Sequence, residues 1–157
     1  MASKSPAAQS ELLIRCSAVD VYNAFVSPRQ LARFWLAKAS GPLVVGKKVR
    51  WHFPVPGVSD TVTARVLEPG RRIVVEWGSD GTETEWTFEA LSPKQTHVRV
   101  TQTVKGTAAE RAAGAINGTE GYTLVLSDLK VLLERGIRAG IVKDKAALIV
   151  RQMRAQK

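Results

Sequence analysis

The chain has a single cysteine, Cys16, so no internal disulfide can hold it together, and folds that need such staples are excluded. A lone thiol also fits a reducing compartment. There are only two histidines, His52 and His97, and neither has a His, Cys or carboxylate at ligand spacing, which argues against a zinc site. No apolar run approaches the roughly 18–20 residues that cross a bilayer. Residues 1–10 hold one lysine and no apolar stretch, so they do not read as a secretory signal and a cytoplasmic location is expected. No glycine-rich phosphate loop follows a strand, since Gly78 and Gly81 belong to a hairpin. Acids are short too: 14 against 23 bases, a net charge of +9.

That charge is unevenly spread. From Arg135 onward seven bases face one acid, Asp144, a net +6 that leaves only +3 for the rest of the chain. Such a tail can meet an anionic lipid, an acidic protein surface or nucleic acid, or it can be a solvated helix that aids solubility. Nucleic acid is not expected, because residues 144–157 contain no aromatic side chain to stack on bases. The 157 residues, 45% of them hydrophobic, suffice for one domain with a real core.

Two periodicities organise the chain. Residues 1–9 are expected to fray, and residues 11–16 read as a first strand. Ser17 caps a short helix over 18–26, and Ser27-Pro28 starts a second with Leu31, Phe34 and Trp35 as its apolar stripe. The period then drops to 2 in residues 48–53, 61–66, 72–77, 85–90 and 97–104. Turn signals separate these stretches, among them Glu68-Pro69-Gly70 and the Asp80-Gly81 hairpin, and predict an antiparallel meander. Glu76, Glu85 and Glu89 alternate outward with Arg65, Arg72 and Arg99, as cross-strand ion pairs would. Thr107 and Glu110 form a capping box that opens a helix, with Asn117, Gly118 and Gly121 expected to bend or restart it. From Tyr122 the residues Val125, Leu126, Leu129, Leu132 and Leu133 make one apolar face that ends at Gly136. Residues 144–154 can form a last helix with Ala146, Ile149, Val150 and Met153 on one side. The fold class is α+β.

Three stretches carry a resemblance. They are residues 14–25 followed by Pro28 and Phe34-Trp35; residues 66–77, a strand, turn and strand ending in Trp77; and residues 117–122 running into 129–136. In this order they resemble the START-like (SRPBCC, birch-pollen-allergen-like) superfamily, and within it the branch homologous to the C-terminal domain of the heat-shock chaperone ATPase activator. The resemblance implies a helix-grip fold over residues 10–137, a curved antiparallel sheet wrapped around a long C-terminal helix with a cavity between them. Residues 138–157 would be a basic, helical extension. Tyr122 stands where the family commonly has tryptophan.

The cavity candidates follow. Trp51, Phe53, Trp77, Trp86 and Phe88 fall on the sheet face that should meet the helix, Trp35 and Tyr122 can close the same space, and Gln102 shares the apolar register of Val98, Val100 and Val104. Core packing accounts for aromatics in such positions, and so does a lined pocket for a flat or apolar ligand. The resulting expectation is a binder of a hydrophobic or aromatic small molecule, including a lipid, with no cofactor. A cyclase- or hydrolase-type enzyme resting on Tyr122 and Gln102, and a chaperone-linked protein-interaction module, are the alternatives.

Overall fold

The structure, a computed structural model, describes residues 6–157. Strand β1 (Ala7–Ile14) leads into two short helices, α1 (Ala18–Val26) and α2 (Pro28–Phe34). Ser17 and Ser27 cap these helices by accepting from the backbone N–H of Asp20 and Gln30, which satisfies donors that a helix start leaves open. Strands β2 (Lys38–Ala39), β3 (Lys48–His52), β4 (Ser59–Glu68), β5 (Arg72–Trp77), β6 (Glu83–Ser92) and β7 (Gln95–Thr103) follow, then helices α3 (Ala108–Arg135) and α4 (Ile141–Ala155). The sheet runs β1-β7-β6-β5-β4-β3-β2, antiparallel throughout and curved, with α3 across its concave face. This is the helix-grip arrangement that the resemblance implied.

The expected alternation fails in β5, where Ile73, Val74 and Val75 are all buried, and in β4. The pairing register shifts between Ala64 and Val66, so that Val62, Thr63 and Ala64 are all buried while Arg65 points to solvent and pairs with Glu76. A bulge of this kind bends the strand and sharpens its twist. On the outer face Arg72 pairs with Glu85, and Arg99 with Glu11. Glu89 approaches His97, not Arg99.

Two further expectations are corrected together. The first strand begins at Ala7, not at residue 11, and ends at Ile14, with all eight residues in register with β7. Helix α3 runs unbroken for 28 residues through Asn117, Gly118 and Gly121. One contact explains both. Ala8 is buried against α3, and a Cβ added at Gly118 would lie 2.5 Å from the Ala8 Cβ. Gly118 is therefore a notch that admits β1, not a hinge. Thr119 accepts the Gln9 N–H at 3.1 Å, Thr123 bonds Ser10 at 2.8 Å, and the Lys130 ammonium donates to the Leu13 carbonyl at 2.6 Å.

The core lies between the sheet, α1, α2 and the second half of α3. Tyr122, Val125, Leu126, Leu129 and Leu132 of α3 are buried there with Phe25, Leu31, Trp51 and Trp86. Gly136, in the left-handed region at φ 68°, ends α3 by donating to the Leu132 carbonyl.

Candidate functional site

A cavity of about 420 Å³ opens between the curled end of the sheet, the middle of α3 and the inner face of α4. Of the eight candidates, Trp35, Phe53, Trp77, Gln102 and Tyr122 stand on its wall, whereas Trp51, Trp86 and Phe88 do not. Packing accounts for these three. Trp51 is fully buried between Trp35 and Trp77, with ring centroids 5.2 and 5.6 Å away. Trp86 is enclosed by Phe25, Trp35 and Tyr122, and Phe88 lies under α1 against Tyr22 and Phe25. The inward register of a strand is shared by core and cavity, so alternation alone could not separate them.

The polar side of the cavity is one ordered chain of hydrogen bonds. The Trp77 indole N–H, which can only donate, reaches Thr84 Oγ1 at 2.7 Å. Thr84 Oγ1 lies 3.0 Å from Tyr122 Oη and gives its proton to it, because the phenol's own proton is used elsewhere. The Tyr122 hydroxyl in turn donates to Gln102 Oε1 at 2.6 Å. Gln102 Nε2 donates weakly to Thr82 Oγ1 at 3.4 Å, and Thr82 donates to Asp80 Oδ1 at 2.7 Å. Every bond in the series points the same way, from indole to carboxylate. Burial pushes the Tyr122 ionisation far above its usual range, and the Asp80 charge adds to the effect against the Thr84 hydrogen bond. The phenol is a fixed neutral donor.

Helix α4 supplies the rest of the wall through Val142, Lys145, Ala146 and Ile149. Its N-cap, Gly140, offers no side chain to the helix start. The cap is borrowed from α3: Asp128 Oδ2 accepts the Val142 N–H at 3.1 Å with the backbone N–H groups of Ile141 and Gly140 close by, while Oδ1 is buried without a partner. Asp128 is 2% exposed, and burial raises its pKa even though those backbone N–H groups and Lys143 pull it down. Lys145 holds Glu120 of α3 at 2.6 Å.

Asp60, Ser79 and Asp80, on the rim, were also missed by sequence reasoning. They sit at the start of β4 and in the β5–β6 turn, outside any alternating run. For α4 a signal existed, the spacing of Ala146 and Ile149; only its partner surface was missing. Among the described residues no group of three or more His, Cys, Asp or Glu is placed to hold a metal ion, and no helix is long and apolar enough to cross a membrane.

Residues 15–134 match the family described as "Activator of Hsp90 ATPase homolog 1-like protein". The chain belongs to this family. Helix α4 lies beyond the matched stretch. No curated protein matches the sequence. Solved structures of similar shape include protein SSP2350 from Staphylococcus saprophyticus, at a TM-score of 0.73 and 23% identity, covering 84% of this chain and 94% of that one. The Aha1 dimer from Colwellia psychrerythraea gives 0.72 and 23%, covering 83% and 97%. DynU16, a protein in the dynemicin biosynthetic locus, gives 0.75 and 19%, covering 86% of this chain and 49% of that one. At such identities the likeness establishes the fold of this Aha1-like domain and nothing finer.

Proposed function

We propose that this Aha1-like domain binds an apolar or aromatic small molecule, a lipid included, in the cavity between its sheet and its C-terminal helices. The observation that carries the reading is the cavity itself: about 420 Å³, open to solvent, walled by Trp35, Phe53, Trp77, Tyr122 and aliphatic residues of α3 and α4. That size and lining are typical of small-molecule sites. Tyr122 and Gln102, on which an enzymatic reading rests, bond to each other, and the phenol's raised pKa keeps it protonated, so that no phenolate is present to act as a base. This favours binding over cyclase- or hydrolase-type catalysis. A cytoplasmic location, with which the single cysteine is consistent, is part of the same proposal.

The test is native mass spectrometry of protein purified without detergent, set against its denatured mass. An added mass that vanishes on denaturation is expected. If only the bare protein appears, and apolar probes leave the tryptophan emission unchanged, the proposal fails.

A further inference from the structure

We infer that the cavity selects cationic ligands, an amine or quaternary ammonium group carried on an apolar or aromatic body; this rests on the ligand-binding reading above. Three features of the wall converge on it.

The first is charge. Asp60 and Asp80 stand on the wall, and among the described residues no Lys, Arg or His nitrogen lies within ion-pair distance of either. Asp60 is held only by neutral donors: the Thr61 and Ser79 N–H groups on Oδ1, at 2.8 and 3.1 Å, and the Ser79 hydroxyl on Oδ2 at 2.6 Å. Asp80 takes the Thr82 N–H and hydroxyl on Oδ1. These bonds fix both carboxylates without an ion pair; the nearby Lys105 ammonium donates to the Asp80 backbone carbonyl at 2.8 Å and not to its side chain. The one cation on the wall, Lys145, already faces Glu120 at 2.6 Å. Acids thus outnumber bases on the wall, two to one, on a chain whose net charge is +9.

The second is the inventory of donors. An anion needs N–H or O–H groups turned toward it. The Trp77 indole donates to Thr84, the Tyr122 hydroxyl to Gln102, and the Ser79 hydroxyl to Asp60. The Lys145 ammonium, the charged donor on the wall, is engaged by Glu120, so the charged groups left without an ion pair are the acceptors Asp60 and Asp80, and a ligand that brings its own positive charge matches them.

The third is the aromatic wall. Trp35 lies 6.3 Å from Phe53 and 6.2 Å from Tyr122, and Phe53 lies 6.2 Å from Trp77, centroid to centroid. Rings grouped in this way around one space attract a cation through their π-electron faces, most strongly when it has shed water.

Tryptophan-fluorescence titration with three probes on one body tests the inference: 4-phenylbutyl-trimethylammonium, its neutral tert-butyl isostere, and 4-phenylbutyrate. The cation is expected to bind about tenfold more tightly than the isostere, with the advantage shrinking at high salt. Asp60→Asn and Asp80→Asn should each weaken the cation about threefold and leave the isostere unchanged, as expected for rim charges partly screened by water. Asp80→Asn keeps the test open if Asp60→Asn disturbs the Ser79 turn, and retained binding of the isostere reports an intact cavity. Binding of the isostere or the anion as tight as that of the cation overturns the inference while the ligand-binding reading stands. Silence of all three probes overturns both.

Discussion

Gly118 of α3 and Ala8 of β1 meet so closely that no side chain fits between them. Gly121, one turn on, borders the cavity and has nothing within 4 Å of where its Cβ would be. Two glycines of one helix therefore respond in opposite ways to alanine. Gly118→Ala should cost about 1–3 kcal/mol, the usual penalty of overpacking. Gly121→Ala should gain up to about 1 kcal/mol from helix propensity. Urea denaturation of both variants checks the pair, and equal signs would contradict the account of Gly118 as a notch.

Enlarging the second substitution tests the cavity. Gly121→Leu should fold as the parent does while filling space that a ligand needs. Fluorescence titration with an apolar probe should show a loss of affinity of about tenfold or more, consistent with displacing several ligand atoms. Unchanged affinity would place the ligand elsewhere.

Tyr122→Phe removes the centre of the hydrogen-bond chain and leaves Thr84 and Gln102 without their partner. The expected cost is about 1–3 kcal/mol, set by the desolvated groups left behind. A pH signature accompanies it. Below the ordinary tyrosine value of 10.0 both folded and unfolded chains keep the proton, so the group adds no pH dependence. Above it the unfolded chain ionises first and stability falls with rising pH. Urea midpoints on either side of that value should fall less steeply in Tyr122→Phe than in the parent.

Asp128→Ala should release the start of α4, with rapid hydrogen exchange at Ile141 and Val142 and a loss of about 0.5–2 kcal/mol, the range for a helix cap. Asp128→Asn keeps an acceptor oxygen and should cost less. The raised pKa sets the sign of the pH effect. Between the ordinary value of 3.8 and the higher value in the fold, the folded state holds the proton more tightly, so this group adds stability as the pH falls. Asp128→Asn should remove that slope, which runs opposite to the one that salt-bridged Glu11, held low by its hydrogen bonds to His97 and Arg99, imposes.

The sequence made the fold legible because each element carries a local signal. Serine caps mark α1 and α2, a change of period marks the meander, and an apolar stripe marks the second half of α3. The site was harder. Trp51 and Trp77 share an inward register, yet only Trp77 borders the cavity, because the boundary between core and cavity depends on what covers each residue. Gly118 misled and Asp128 drew no notice for a related reason. An acid on an apolar face and a glycine inside a helix read as local flaws until the distant partner is known, the start of α4 for one and Ala8 for the other.

The coverage of β1 by α3 has a consequence for how molecules of this protein meet. An open sheet presents two edges, and an unpaired edge is a template for strands of another chain. Here the outer side of β1 is occupied at Gln9 by Thr119 and at Leu13 by Lys130. The opposite edge, β2, is two residues long. One edge is thus partly covered by a helix and the other is cut short, two devices that work against edge-to-edge addition of strands.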